Sequence, residues 1–445
     1  MTQFIVRDYA CPIAQHLVDE GFSPALARVL AARGIETSQD LKGDWKGMLP
    51  PNTLMGTSAA AVILADAIEA KKKIMVVADF DCDGATACAV AVRGLRSMGA
   101  IVDYLVPDRF IYGYGLTPAI VDLANEKRPD LIITVDNGIA SIEGVKRARE
   151  LGIGVIITDH HLPGQELPAA DCIVNPNAPH CDFPSKNLAG VGVMFYVLLA
   201  LRAEMRNRGH FDAQTQPRLD GLVDLVALGT VADVVKLDHN NRIFVQQGLA
   251  KIRTGRTHPG IKALFEVAGR SSVCAKVKDF GFVIAPRINA AGRLDLMTAG
   301  IECLISDDEK VAHDYAQKLE NFNRERRELE QDMQWDAALL LNQIDVSRRH
   351  TLTLFEPTWH QGIVGLVASR IKDSKHRPTI AFADAGDGEL KGSGRSIEGV
   401  HLRDMLDIVT KRAPGLIKKF GGHAMAAGLT IDATRLEEFN DVFEQ

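Results

Sequence analysis

The sequence predicts an α/β protein with two α/β domains joined by a long helix. From Lys73 onwards, short apolar segments alternate with helical segments to about residue 175, which is typical of a parallel sheet with helices on both faces. A stretch with few helix breakers follows at 306–343, and a second set of strand and helix segments begins near Thr351. The expected domains are an N-terminal helical cap (1–55), a parallel-sheet domain (56–305), a connector helix (306–345) and a smaller α/β domain (346–445).

The composition is that of an ordinary globular chain. Of its 445 residues, 46% are hydrophobic and 24% are charged, and the net charge is -6, so any nucleic-acid binding must use local basic patches. No apolar run approaches the ~20 residues of a membrane span. The seven cysteines lack paired CxxC spacing, which favours reduced thiols and a cytoplasmic protein.

The secondary-structure pattern can be followed along the chain. The N-terminal cap is predicted to have a helix at 24–33, and a helix at 58–71 is predicted to lead into the first strand. Predicted strands of the first sheet are 74–78, 101–106, 131–135, 155–158 and 172–174, with helices at 85–97, 118–126 and 141–151 between them and further helices at 188–206 and 219–228. In a sheet of this kind, a ligand binds beyond the carboxyl ends of the strands.

Three of these strands end directly in residues that bind metal ions. Their side chains are Asp79, Asp81 and Asp83 after the first strand, Asp136 after the third, and Asp159, His160 and His161 after the fourth. We expect Gly84 to let the chain turn after the first group. One such strand end can be a simple helix cap, but three at one sheet edge predict a shared metal site.

Asp233 lies in a wholly apolar neighbourhood, where a carboxylate is costly unless it is paired or metal-bound. An N-cap or a buried hydrogen bond is the alternative. With Asp233 included, six side chains can coordinate metal: Asp79, Asp81, Asp83, Asp136, His160 and Asp233. Oxygen ligands with one imidazole suit Mn²⁺ or Mg²⁺, and six ligands fit two ions. With His161 as a donor to a phosphate or leaving oxygen, the residues predict hydrolysis of a phosphoester or phosphoanhydride.

Positive charge is concentrated between residues 241 and 300. This segment has ten Lys or Arg and three acids, so its net charge is +7. A solvated face is the simple explanation, and contact with a phosphate backbone is the functional one. Arg287 and Arg293 suit bidentate phosphate binding, and Gly292 permits close backbone approach.

The second α/β unit has predicted strands at 351–355, 379–382 and 429–431 and a helix at 362–372. Two glycine-rich stretches, 391–396 and 420–428, are predicted as turns whose backbone N–H groups cradle anions. A plain tight turn is the alternative for each.

Together these motifs resemble the DHH phosphoesterase family, and within it the RecJ group of single-strand-specific 5′→3′ DNA exonucleases. The resemblance to the DHH family rests on Asp159-His160-His161, the three acids from Asp79, the turn at Asp136, Asp233, and the run from Gly421 to Gly428. The narrower resemblance to the RecJ group rests on the segments 105–109, 113–115, 286–293 and 391–396. It covers about residues 10–440.

The resemblance implies two domains around a cleft, through which single-stranded DNA threads. It implies that the six ligands hold two ions, that Asp136 bridges them, that Asp159 orients the site and that His161 touches the scissile phosphate. Substrate contacts would come from Arg109, Tyr114, Arg287, Asn289, Arg293, Ser393, Arg395, Ser396 and His423. The implied partners are single-stranded DNA, with single-strand-binding protein and a helicase as further candidates; a self-contained cleft favours a monomer without membrane contact.

The resemblance also implies a C-terminal OB-type barrel, and Gln445 falls about where that barrel would begin. Two other functions fit parts of the pattern. Some DHH relatives act on small substrates such as pyrophosphate or cyclic dinucleotides, which the basic segment at 241–300 argues against. Other relatives are inactive DNA-binding scaffolds, but those have lost metal ligands that are all present here.

Overall fold

A computed structural model describes residues 6–445 and divides into two compact units, one up to Glu320 and the other Asn321–Gln445. Each contains one five-stranded sheet, so the predicted class of two α/β sheets is confirmed. Within residues 6–445, no single helix has the length and hydropathy of a membrane span. One bent pair, Trp45–Thr53 with Thr57–Glu69, reaches those values only jointly, by length and composition.

The described N-terminal segment is helical, as predicted. Its helices are α1 (Cys11–Asp19), α2 (Pro24–Ala31) and α3 (Thr57–Glu69). The Ser23 hydroxyl accepts a hydrogen bond from Leu26 N–H at the start of α2, and Leu17 and Ala27 pack into a small core of their own.

The first sheet is entirely parallel, in the order β2-β1-β3-β4-β5. Its strands are β1 (Lys73–Ala78), β2 (Ile101–Leu105), β3 (Leu131–Val135), β4 (Gly154–Thr158) and β5 (Cys172–Val174). The intervening helices are α4 (Cys82–Ser97), α5 (Arg109–Tyr112), α6 (Pro118–Asn125) and α7 (Ile142–Glu150). Strands β1, β3 and β4 are adjacent and buried, so their carboxyl ends meet at one edge.

Helix α4 begins earlier than predicted, and Gly84 has a different role. The carboxylate of Asp81 accepts a hydrogen bond from Gly84 N–H (3.0 Å), and this cap starts the helix at Cys82 instead of residue 85. Gly84 therefore lies inside the helix and makes no turn. A Cβ at this position would lie 2.5 Å from the Asp79 carbonyl oxygen, so the glycine is needed for close packing.

The remaining helices of the first unit surround this sheet. They are α8 (Gly190–Asn207), α9 (Val223–Ala232), α10 (His239–Arg253), α11 (Pro259–Val267), α12 (Val277–Asp279), α13 (Ala285–Leu294) and α14 (Thr298–Ile305). The helix predicted at 219–228 starts as a 3-10 turn and continues to Ala232 as α9. The long helix predicted at 306–343 is α15 (Glu309–Asn342).

The second unit has a mixed sheet in the order β6-β7-β8-β10-β9. Its strands are β6 (Leu352–Phe355), β7 (Thr379–Gly386), β8 (Glu389–Arg395), β9 (Ile417–Gly422) and β10 (Ala426–Asp432), and its helices are α16 (Val364–Lys375), α17 (Leu402–Arg412) and α18 (Leu436–Glu444). Phe382 and Phe439 stack edge to face in its core.

The prediction of two glycine-rich turns in this unit was wrong for 391–396 and correct only for the middle of 420–428. The stretch 391–396 lies largely in β8, and 420–428 contributes to β9 and β10 with a short connection between them. A Cβ at Gly392 would lie 2.6 Å from the Phe382 ring, and one at Gly394 would lie 2.7 Å from the Leu402 side chain. The glycines therefore allow close packing within a strand, a role that local sequence does not distinguish from a turn.

Candidate metal centre

The predicted metal ligands lie together at the carboxyl edge of the first sheet. The parallel hydrogen-bond ladder continues one residue past each strand: Asp79 N–H donates to Val135 (3.3 Å), Asp136 N–H to Thr158 (3.0 Å) and Asp159 N–H to Val174 (3.1 Å). The sheet register itself therefore places these acids side by side.

Three groups of side chains have ligand atoms within 4.8 Å of one another. They are Asp79 with Asp81 and Asp136; Asp83 with His160 and Asp233; and Asp136 with His160 and His161. All six predicted ligands are present in these groups. Asp136 and His160 each belong to two of them, and of these only the Asp136 carboxylate has two oxygens with which to serve two ions, so its bridging role stays a prediction.

The electrostatics of this cluster fit a cation site. Burial raises the pKa of Asp79, Asp83 and Asp136 well above the usual range, and the charges of neighbouring acids raise it further. Burial and the charge of Asp81 raise the pKa of Asp233 to about 7. Among the residues described, the buried Asp136 Oδ1 has no hydrogen-bond donor. Divalent cations would supply the missing positive charge, so these residues fit Mn²⁺ or Mg²⁺.

His160 has the protonation state of a metal ligand. Burial, together with the positive charge of His161, lowers its pKa to about 4, so the ring is neutral near pH 7. Its Nε2 lies 3.1 Å from Asp136 Oδ1 and 3.4 Å from Asp233 Oδ2. A hydrogen bond to the Leu188 backbone also holds the residue.

His161 is the opposite case. Although burial lowers its pKa, the hydrogen bond to Asp159 (Nδ1 to Oδ1, 2.7 Å) and the Asp159 charge raise it to about 9. Asp159 is buried, and its carboxylate also accepts the N–H groups of Ile139, His160 and His161. The structure thus places a cationic imidazole, oriented by Asp159, beside a neutral one.

Asp83 has a second function besides facing His160 and Asp233. Its two carboxylate oxygens accept the N–H groups of Gly190 (2.6 Å) and Val191 (3.1 Å) at the start of α8. A Cβ at Gly190 would lie 2.5 Å from that of Asp136. The amino end of α8 therefore packs directly on the acid cluster and favours its negative charge.

Arg109 and Tyr114, both predicted to bind substrate, lie at this site with an aromatic residue that the prediction missed. The Arg109 guanidinium lies 4.4 Å from the ring centre of Phe80, and Phe80 meets Tyr114 edge to face at 6.0 Å. The Tyr114 hydroxyl lies 3.3 Å from the His161 ring nitrogens. Phe80 could have been identified as a site residue from the sequence, because it lies between the predicted ligands Asp79 and Asp81.

The segment predicted to bind phosphate supports the ligand loop. Asn289 Oδ1 accepts the N–H of Cys82 (2.7 Å), and a Cβ at Gly292 would lie 2.1 Å from the Phe80 carbonyl oxygen. Close approach at Gly292 was predicted, but its neighbour in the structure is protein backbone. Arg287 is buried and pairs with Glu320 at 2.5 Å. Phosphate contact by Arg287, Asn289 and Arg293 stays a prediction.

The predicted substrate residues of the second unit lie on or beside β8, except for one. Arg395 Nη1 donates to Ser393 Oγ (3.1 Å) and to the Gly394 carbonyl (2.8 Å), so the structure brings Ser393 and Arg395 together. Ser396 is buried, and its hydroxyl donates to the Val400 carbonyl (2.7 Å). His423 lies in the connection from β9 to β10. Phosphate binding by these residues stays a prediction.

Comparison with protein families and solved structures gives a consistent result. The DHH family N-terminal domain matches residues 73–230, and the DHHA1 domain matches residues 349–445. The chain is 52% identical over 426 residues to the single-stranded-DNA-specific exonuclease RecJ of Escherichia coli K12, covering 94% of this chain and 74% of that protein. Its identity to RecJ of Bacillus subtilis is 36% over 432 residues, covering 94% of this chain and 52% of that protein.

Two solved structures are similar over most of the chain. A crystal structure of exonuclease RecJ bound to manganese matches with a TM-score of 0.76 and 34% identity, over 89% of this chain and 94% of that one. RecJ from Thermus thermophilus in complex with Mn²⁺ matches with a TM-score of 0.82 and 31% identity, over 98% of this chain and 60% of that one.

Proposed function

This chain belongs to the RecJ family of DHH phosphoesterases, and we propose that it is a single-stranded-DNA-specific 5′→3′ exonuclease that releases 5′ mononucleotides. One observation carries the proposal: three adjacent strand ends bring acids and a histidine into overlapping groups of three, the ligand atoms of each group lying within 4.8 Å of one another, and no described residue donates a hydrogen bond to Asp136 Oδ1. The similarity to RecJ structures that contain Mn²⁺ supports it.

The proposed cofactors are two Mn²⁺ or Mg²⁺ ions, which the five acids and the one histidine named above would hold, with Asp136 serving both. Bound there, such ions would polarise the phosphodiester and would lower the pKa of a water molecule that serves as nucleophile. The neutral ring of His160 offers a lone pair, and the acids offer the oxygens that these hard cations prefer.

The protein's own groups then act on the substrate. His161, held cationic by Asp159, donates a hydrogen bond to a phosphate oxygen and can give its proton to the departing oxygen. Arg109 and Tyr114 bind the strand near its 5′ end. In the second unit, Ser393, Arg395 and His423 bind the backbone phosphates, with Arg293 contributing from the basic segment.

We further propose the domain boundaries 1–55, 56–305, 306–345 and 346–445, and a cytoplasmic role in DNA recombination and repair. Single-strand-binding protein and a helicase are the proposed partners.

Digestion of end-labelled DNA tests the proposal. A 5′-labelled and a 3′-labelled single strand, beside the matching blunt duplex, are incubated with Mn²⁺, Mg²⁺ or EDTA. We expect early mononucleotide release from the 5′ label alone, none with EDTA, and little from duplex. Intact long strands together with cleavage of dinucleotides or pyrophosphate would replace the proposal with a small-substrate phosphoesterase.

A further inference from the structure

The backbone on which His160 and His161 stand is held by one turn from the neighbouring strand. Both histidines follow the end of β4, so their carbonyl oxygens do not accept hydrogen bonds from a neighbouring strand of the described sheet. Asn177 Nδ2 donates to the His160 carbonyl (2.6 Å), and Asn175 Nδ2 donates to the His161 carbonyl (2.9 Å). Each histidine is thus bonded by its own asparagine.

This turn, 175–177, follows directly after β5 and is itself fixed. Asn175 is fully buried, and its Oδ1 accepts the N–H of Asn177 (2.7 Å). The Ala178 N–H closes the turn on the Asn175 carbonyl (3.1 Å), and Lys186 Nζ donates to the Pro176 carbonyl (2.7 Å). A donor on so constrained a turn fixes the position of the carbonyl that it contacts.

The backbone position decides where the two rings lie. His160 Nε2 must stay between Asp136 and Asp233, and His161 Nδ1 must stay on Asp159. Groups that hydrogen-bond to a metal ligand, without touching the metal, hold that ligand in its orientation. Their loss commonly weakens metal binding 10- to 100-fold. A rotation of the peptide after His160 would move both rings at once.

We propose that Asn175 and Asn177 are positioning residues that set the orientation of His160 and His161 in the metal centre. The inference rests on the proposed function, because it assumes that the centre binds divalent cations. It assigns a role to a turn that lies outside the ligand set and that was not expected from the sequence.

Asn241 provides a matched control. It is fully buried, and its Nδ2 donates to two backbone carbonyls, those of Asn187 (2.6 Å) and Lys236 (3.0 Å). Asn177 likewise donates to two carbonyls, those of His160 and Lys186. Replacing either asparagine by alanine removes an amide group that donates to two backbone carbonyls. Only Asn177→Ala removes a hydrogen bond to a histidine carbonyl.

The experiment measures Mn²⁺ binding to chelator-treated full-length protein, from the paramagnetic resonance of free Mn²⁺, and kcat and KM on single-stranded DNA at saturating Mn²⁺. We expect Asn177→Ala and Asn175→Ala to weaken Mn²⁺ binding about 10- to 100-fold and to lower kcat with little change in KM. Asn241→Ala should lower thermal stability while Mn²⁺ affinity stays at the wild-type value.

Wild-type Mn²⁺ affinity and kcat in Asn177→Ala, with stability lowered as in Asn241→Ala, would show a purely structural role and overturn the inference. If Asn175→Ala does not fold, Asn177→Ala decides, since Asn177 is partly exposed. Wild-type protein that binds no Mn²⁺ would overturn the proposed function as well, so the two failures are distinguishable.

Discussion

Asp224 and the acid cluster at the sheet edge are both buried carboxylate sites, but their electrostatic environments are opposite. Asp224 accepts hydrogen bonds from Lys251 Nζ (2.9 Å), His258 Nδ1 (2.8 Å) and Thr257 Oγ1 (2.8 Å). Burial alone would raise its pKa, but the bond from His258 and the charges of His258 and Lys251 hold it below the usual range. This carboxylate has all its partners within the protein.

The acids at the sheet edge repel one another. Burial, and then the charge of Asp83, raises the pKa of Asp136. Asp224 and Asp233 lie at opposite ends of α9, each in apolar sequence, yet one is paired internally and the other faces the cluster. The comparison shows that burial of a carboxylate does not identify a metal ligand; a cluster of acids that outnumbers its neighbouring cations, here Arg109 and His161, indicates one.

The largest expected effect is on activity. Asp136→Asn should lower kcat by at least about 10³-fold, because it removes a ligand of cations that contribute several kcal/mol to transition-state stabilisation. The fold should persist, because asparagine tolerates the left-handed backbone of this position (φ 63°). Steady-state kinetics and thermal melting measure both. Asp136→Ala tests the same ligand with added backbone strain. Metal-dependent activity near wild type in either variant would refute the bridging role.

Asp224→Asn should act on stability. Removing one partner of a buried ion pair costs about 3–5 kcal/mol, so urea unfolding should show a loss of that order. The control is Asp103→Asn, whose half-exposed pair with Lys127 should contribute no more than about 1 kcal/mol. Recovery of the lost stability on adding Mn²⁺ would contradict the assignment of Asp224 to the fold.

Added Mn²⁺ should distinguish the Asp224 site from the acid cluster at the sheet edge. Added Mn²⁺ at about 100 times its Kd should stabilise the wild-type protein by about 2.7 kcal/mol, because only the folded state binds it. Asp224→Asn should show the same increment and Asp136→Asn much less. An equal increment in all three proteins would place the ion outside the acid cluster.

Lowering the pH should isolate the contribution of the Asp224 charge to the stability of the fold. Because its pKa is lower in the folded than in the unfolded state, the stabilisation is fully present above the unfolded value of about 3.9 and is lost as pH falls towards the folded value. The stability difference between wild type and Asp224→Asn should thus shrink below about pH 4, by at most about 1.4 kcal/mol per pH unit. Urea unfolding from pH 7 to 3 measures it. A pH-independent difference would mean that the Asp224 charge does not stabilise the fold.

Much of the architecture follows from sequence pattern. Continuous apolar runs set the strands of the first sheet to within a residue, because a strand buried on both faces tolerates little else. The acids and histidines at the ends of β1, β3 and β4 could be assigned to one site because parallel strands end at a common edge. The glycine-rich strands β8 and β9 could not be predicted, because glycine removes the side chains whose alternation marks a strand.

The sequence by itself determined the parallel sheet, the second α/β unit and the gathering of acids and histidines at one sheet edge, since each follows from local periodicity and from residue type at strand ends. Only the tertiary structure separated Asp224 from Asp233, joined Asn289 to the Cys82 backbone and set Asn175 and Asn177 beneath the histidines. These contacts join residues that are from 14 to 207 positions apart in the chain. Such long-range pairing leaves no local pattern, because it is fixed by how the elements pack.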